Sequence, residues 1–185
     1  MWAAAGADED AARLAMDYPD AGAYVLSLRL HPRERVRWLE SGLAAARRLG
    51  ERGAEGAHLG NLGLACKDLG EPHKAIGFYE QVLAVFREIG DRRGEGNALG
   101  NLGNAWNDLG EPHKAIAFYE QQLVIVRTIG DRRGEAIALF NLGEALESLG
   151  DPATARGHMQ QALALFESLE SPHAETARDW LARHP

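Results

Sequence analysis

The feature that most constrains this chain is a self-repeat of 40 residues. Residues 51–90 and 91–130 align without a gap, and 26 of the 40 positions are identical. Residues 131–170 form a third, more divergent copy that opens on DRRGE, as does the copy starting at residue 91. A period of this length is the signature of stacked copies of one supersecondary unit, each burying its apolar surface only against its neighbours. The frame runs on in both directions. Residues 31–50 match the second half of the unit, with Pro32 on the Pro72/Pro112/Pro152 position, Trp38 on Phe78 and Phe118, and Gly50 on Gly90. Residues 171–185 read as the first half of a further unit.

Each unit predicts two helices. In the middle copy the first runs over about 92–109 and stops at Gly110, since glycine accepts the left-handed conformation that ends a helix. Pro112 then falls in the first turn of the second helix, where its missing N–H costs nothing. That helix stops at Gly130, and Asp131, like Asp91 one unit earlier, is placed to cap the next. Ser171 followed by Pro172 repeats the start signal. The apolar positions follow helical spacing: Leu99, Leu102, Ala105, Trp106 and Leu109, then Ala115, Ile116, Tyr119, Leu123, Val126 and Ile129. Gly103 and Ala115 are small where two helices could approach closely. Connections of one or two residues force antiparallel neighbours. The expected fold is all-α, a right-handed superhelical solenoid of antiparallel helix pairs. Its parts are an N-terminal cap or degenerate half-repeat over 1–30, the second helix of a partial repeat over 31–50, three repeats over 51–170, and a capping helix over 171–185.

Charge narrows the partners. The formal net charge is −7, and nucleic acid or anionic membrane binding normally needs a basic stripe. No apolar run approaches the roughly 20 residues that span a bilayer. Cys66 is the single cysteine, which fits a reducing compartment, and the acidic N-terminus does not read as a signal peptide. A cytoplasmic protein is expected.

The chain resembles the tetratricopeptide repeat family through Leu99, Leu102, Gly103, Trp106, Gly110, Ala115 and Tyr119 in the middle copy. Copy one supplies Leu59, Leu62, Gly63, Cys66, Gly70, Ala75 and Tyr79, and copy three Leu139, Leu142, Gly143, Leu146, Gly150, Ala155 and Met159. The 40-residue period is similar to that of the long-repeat subgroup containing kinesin light chains and Leu-Gly-Asn-rich cell-polarity adaptors. The stretch LSLRLHPRERVRWLESGLAAARRLG is similar to the lead-in of repeat arrays in bacterial signalling ATPases with an NB-ARC-like domain, although no GxxxxGK[ST] phosphate loop occurs.

The resemblance implies that the first helix of each repeat lines a concave, ligand-binding groove. The implied groove positions are Asn97, Gly100, Asn101, Asn104, Asn107 and Asp108 in copy two. In copy one they are Ala57, Gly60, Asn61, Leu64, Lys67 and Asp68, and in copy three Ile137, Phe140, Asn141, Glu144, Glu147 and Ser148. Asn61, Asn101 and Asn141 form a ladder that could hold the N–H and C=O groups of an extended peptide, an amide being both donor and acceptor. Bonding to a neighbouring helix or to water is the competing role, and for Asn104 and Asn107 solvent is the only competitor expected. Gly60 and Gly100 point to close backbone approach, by the next helix or by a ligand. Ile137 and Phe140 either pack on the C-terminal helix around Trp180 or form a hydrophobic pocket.

Lys and Arg are missing from the positions that clamp a C-terminal carboxylate in some family members. With Asp68, Asp108, Glu144 and Glu147 nearby, a neutral or basic peptide or protein is the expected partner. His73 and His113 lie 40 residues apart and form no helical metal pair. Arg92, Arg93, Arg132 and Arg133 are expected to pair with Glu95 or Glu135. No catalytic constellation, metal site or cofactor motif has supporting context. The expected function is therefore a protein-interaction scaffold. The alternatives are self-assembly into dimers or filaments through apolar ends (Trp180, Leu181, Tyr24, Val25, Leu28) and a sensor module of a signalling ATPase.

Overall fold

The computed structural model describes residues 12–13, 16–17 and 32–184. The expected cap over 1–30, with Tyr24, Val25 and Leu28, lies almost wholly outside them. The described residues from 32 onward form α1 (Pro32–Leu49), α2 (Arg52–Asp68), α3 (Pro72–Ile89), α4 (Arg92–Asp108), α5 (Pro112–Thr128), α6 (Arg132–Ser148), α7 (Pro152–Ser168) and α8 (His173–Arg183). They contain no strand and no helix long and apolar enough to cross a membrane.

Sequence sets the rhythm of these helices. Gly50, Gly70, Gly90, Gly110, Gly130 and Gly150 all have φ between +70° and +78°, the left-handed conformation that lets a helix end and the chain reverse. The turn closes in the same way each time: Glu51 N–H donates to the Ala46 carbonyl at 3.0 Å, and Glu111 N–H to Trp106 at 3.0 Å. Asp91 and Asp131 accept from the Gly94 and Gly134 N–H groups, each at 2.9 Å, which makes them the caps their positions predict. At the last turn the pattern shifts. Helix α8 starts at His173, one residue later than the Ser-Pro signal suggests, and the Ser171 hydroxyl accepts from the His173 N–H at 3.4 Å.

The chain divides after Gly94 into two compact units. In the first, α1 packs on α2 and α2 on α3. Its close approach is at Gly63, where an added methyl would stand 2.4 Å from the Tyr79 ring. Glu55, only 5% exposed, accepts from Arg47 at 2.8 Å and from Arg52. Burial alone would push its carboxyl up, but hydrogen bonds and charge from the two arginines hold it net below the usual carboxylate range.

The second unit runs from Glu95 and packs α5 on α6, α6 on α7 and α7 on α8. Its core joins Ala115, Tyr119, Leu123 and Val126 to Leu139, Leu142, Met159, Phe166 and Trp180. Trp180 is therefore no part of a sticky end: it is 4% exposed, and its indole N–H donates to Glu147 at 2.7 Å. The His184 ring stacks on it at 4.2 Å and meets the other Glu147 oxygen. Glu135 pairs with Arg127 at 2.8 Å, not with Arg132 or Arg133. The preceding helix supplies the cation because it ends directly beneath the start of α6.

Candidate functional site

Of the residues singled out as a groove, Asn61 lies half-buried on α2 in the first unit. Asn97, Asn101, Asn104, Asn107 and Asp108 lie on α4, and Phe140, Asn141 and Glu144 on α6. Asn97, Asp108 and Glu144 are exposed, while Asn101, Asn104, Asn107, Phe140 and Asn141 are half-buried. The structure brings two of the amides together in the second unit: Asn141 Nδ2 donates to Asn104 Oδ1 at 3.2 Å.

The same oxygen also accepts from the Tyr119 hydroxyl at 2.8 Å. This corrects the expectation that solvent alone competes for Asn104. Tyr119 is 2% exposed, and a buried phenol needs a partner. Burial, with help from the Asp108 and Glu144 charges, pushes its ionisation far up, so it stays an O–H donor. Helical spacing places Tyr119 in the core but does not disclose this role. The signal available was the hydroxyl itself, since phenylalanine would have filled the same space.

The bonding fixes what the pair can do. An amide oxygen has two lone pairs, and both on Asn104 are taken. Its two N–H donors make no hydrogen bond among the described residues. Asn141 keeps one N–H and its carbonyl oxygen. Asn61, Asn97, Asn101 and Asn107 make no side-chain hydrogen bond among the described residues.

The acids divide likewise. Asp68 is held by Arg35 at 2.6 Å and Glu147 by the Trp180 indole, so neither is the loose groove charge expected of it. Glu144 has no ion-pair partner among the described residues. Partial burial of its carboxyl and the neighbouring Glu147 charge push its pKa up.

Phe140 and Ile137 are half-buried on α6. They pack against the core cluster that contains Trp180, and Phe140 meets Phe166 edge-on at 6.3 Å. They also line an open cleft of about 240 Å³ with Asn141, Phe166, His173 and Thr176. Gly100 faces the next helix: an added methyl would stand 2.6 Å from Nε2 at the far end of the Gln122 side chain. Cys66 is buried, and burial pushes its thiol up, so it acts as a small hydrophobe. His73 and His113 are exposed.

Two tetratricopeptide repeat family models match the sequence, one over residues 94–168 and the other over 58–93. Comparison with curated protein sequences finds no match. Among solved structures, the chain is similar to a kinesin light chain candidate from Podosopora anserina with nearly identical TPR-like repeats. The identity is 20%, 94% of this chain and 85% of that one are covered, and the TM-score is 0.75. It is also similar to aspartyl phosphate phosphatase F from Bacillus subtilis, at 11% identity over 94% of this chain and 44% of that one, with a TM-score of 0.82. A third is a signal transduction ATPase with a tetratricopeptide repeat sensor from Pyrococcus horikoshii, at 19% identity over 94% and 27% of the two chains and a TM-score of 0.75. At such identities these likenesses establish the fold alone.

Proposed function

Because the chain belongs to the tetratricopeptide repeat family, we propose that it is a protein-interaction scaffold that holds an extended peptide along α4 and α6, the first helices of its second and third repeats. The observation that carries this reading is the amide pair of Asn104 and Asn141, oriented from beneath by Tyr119. Ordering a long side chain on binding costs free energy. Here Tyr119 has already ordered Asn104, so the amide meets a ligand with its donors set. Packed helices lie about 8–10 Å apart and an extended chain advances about 3.3 Å per residue. Each rung would meet the peptide backbone about every third residue. Main-chain recognition of this kind tolerates many side chains, and the uncompensated Glu144 favours a basic partner.

The test is a pull-down from a lysate of the native cells with wild type beside the double variant Asn104→Asp/Asn141→Ala. The aspartate still accepts from Tyr119, so the core stays satisfied while the donors disappear; circular dichroism checks the fold. A partner captured by wild type and lost with the variant supports the groove. A partner held equally by both places recognition elsewhere and overturns the reading.

A further inference from the structure

Copy three breaks the repeat at two groove positions. Copies one and two have Ala57 and Asn97 where it has Ile137, and Gly60 and Gly100 where it has Phe140. The facing wall changes in the opposite sense. Gly60 faces Val82 and Gly100 faces Gln122, while the same register in copy three carries Ala162. Bulk has moved from the second helix to the first, which conserves volume across the contact.

This exchange explains how Phe140 is accommodated, but not the space beside it. A residue recruited only to fill the core would leave no open cleft lined by Ile137, Phe140 and Phe166. Thr176 and His173 are exposed at its rim. At about 240 Å³ it falls below the roughly 300 Å³ at which pockets for drug-sized ligands begin. It has room for one side chain.

Two neighbours say what that side chain belongs to. Asn141 lines the cleft and joins it to the Asn104 donors, which suit a main-chain carbonyl. Glu144 lies three and four residues beyond Asn141 and Phe140 on α6, and therefore on the same face. It is exposed and without a cationic partner among the described residues, which complements a positive charge.

We propose that the cleft seats one apolar side chain of an extended peptide that carries Lys or Arg close by, with a peptide carbonyl on Asn104 and the cation on Glu144. This deepens the groove reading above and rests on it.

A library of random twelve-residue peptides displayed on phage tests it, selected in parallel on wild type and on Thr176→Trp, whose indole would fill the cleft from an exposed position. Wild type should enrich sequences with one Leu, Ile, Met or Phe beside a Lys or Arg. Thr176→Trp should lose the apolar preference, keep the basic one, and bind the best wild-type peptide roughly 10- to 100-fold more weakly, the contribution of burying one aliphatic side chain. Glu144→Gln should remove the basic preference alone. Enriched peptides without an apolar position, or bound equally by Thr176→Trp, overturn the cleft assignment. If those peptides still fail to bind Asn104→Asp/Asn141→Ala, the groove reading survives that failure. Enriched peptides that bind the double variant unchanged, or no enrichment at all, overturn both.

Discussion

A methyl group on Gly103 would stand 2.3 Å from Cε1 of Tyr119, and a phenol ring wedged in a core cannot swing aside. Gly103→Ala gains about 1 kcal/mol of helix propensity. It loses about 1–3 kcal/mol to overpacking and about 1 kcal/mol more if the tilted ring releases Asn104. We expect a net loss of roughly 1–3 kcal/mol, or a melting temperature lower by about 2–4 °C for each kcal/mol. Gly100→Ala is the control. Its methyl meets the far end of the flexible Gln122 side chain, so it should stay within about 0.5 kcal/mol of wild type. Equal losses in thermal melts of the two variants would contradict this account. The sequence shows Gly103 as a small residue at a close approach because its neighbours have helical spacing. It does not show that the ring it accommodates also orients Asn104, since the partner of a hydroxyl is a matter of three-dimensional placement.

At the level of the helix, punctuation was the most legible part of the chain. Glycine every 20 residues, proline two residues after every second one (Gly70, Gly110 and Gly150) and aspartate before α4 and α6 each have one conformational use, and the structure puts each to that use. The exception is Glu170, which takes φ +50° at the position where the other turns have glycine. A side chain in that conformation costs about 1–2 kcal/mol, while glycine adds about 0.4–1 kcal/mol of unfolded-state freedom. Glu170→Gly should therefore stabilise the protein by roughly 0.5–1 kcal/mol, and Gly110→Ala should destabilise it by a similar or larger amount. Chemical denaturation of both reads the difference. A Glu170→Gly variant no more stable than wild type would mean that the Glu170 side chain makes a compensating contact.

Over the whole molecule, the fold was legible because repetition states the same structural instruction three times. The site was legible only in part. Family register points to Asn104 and Asn141 as groove positions, but it does not show that Asn104 spends both oxygen lone pairs on Asn141 and Tyr119, nor the loss of Asp68 and Glu147 to Arg35 and Trp180. Charge placement of this kind governs the response to pH. His158 on α7 is pushed down, first by burial and then by Arg127, with Glu120 opposing. Its folded form thus stays neutral while the unfolded chain takes up a proton near about pH 6.5, and stability falls as pH drops below that value. Glu144 is pushed up, so its ionised form opposes folding, and that cost is relieved as pH falls through its raised value. Glu55 is held down, so its contribution is present above the unfolded value of about 4.3 and is lost only as pH falls further. Three windows follow. Between about pH 7.5 and about pH 5.5 the His158 effect should lower the melting temperature, and His158→Gln should flatten that slope. Glu144→Gln should melt above wild type near neutrality, and the gap should close as wild-type Glu144 protonates. Below about pH 4.3 both variants should lose stability with wild type, because the Glu55 cluster is intact in all three. Parallel wild-type and His158→Gln curves across the first window would remove His158 from the account, since Glu144 contributes with the opposite sign and Glu55 acts only at lower pH.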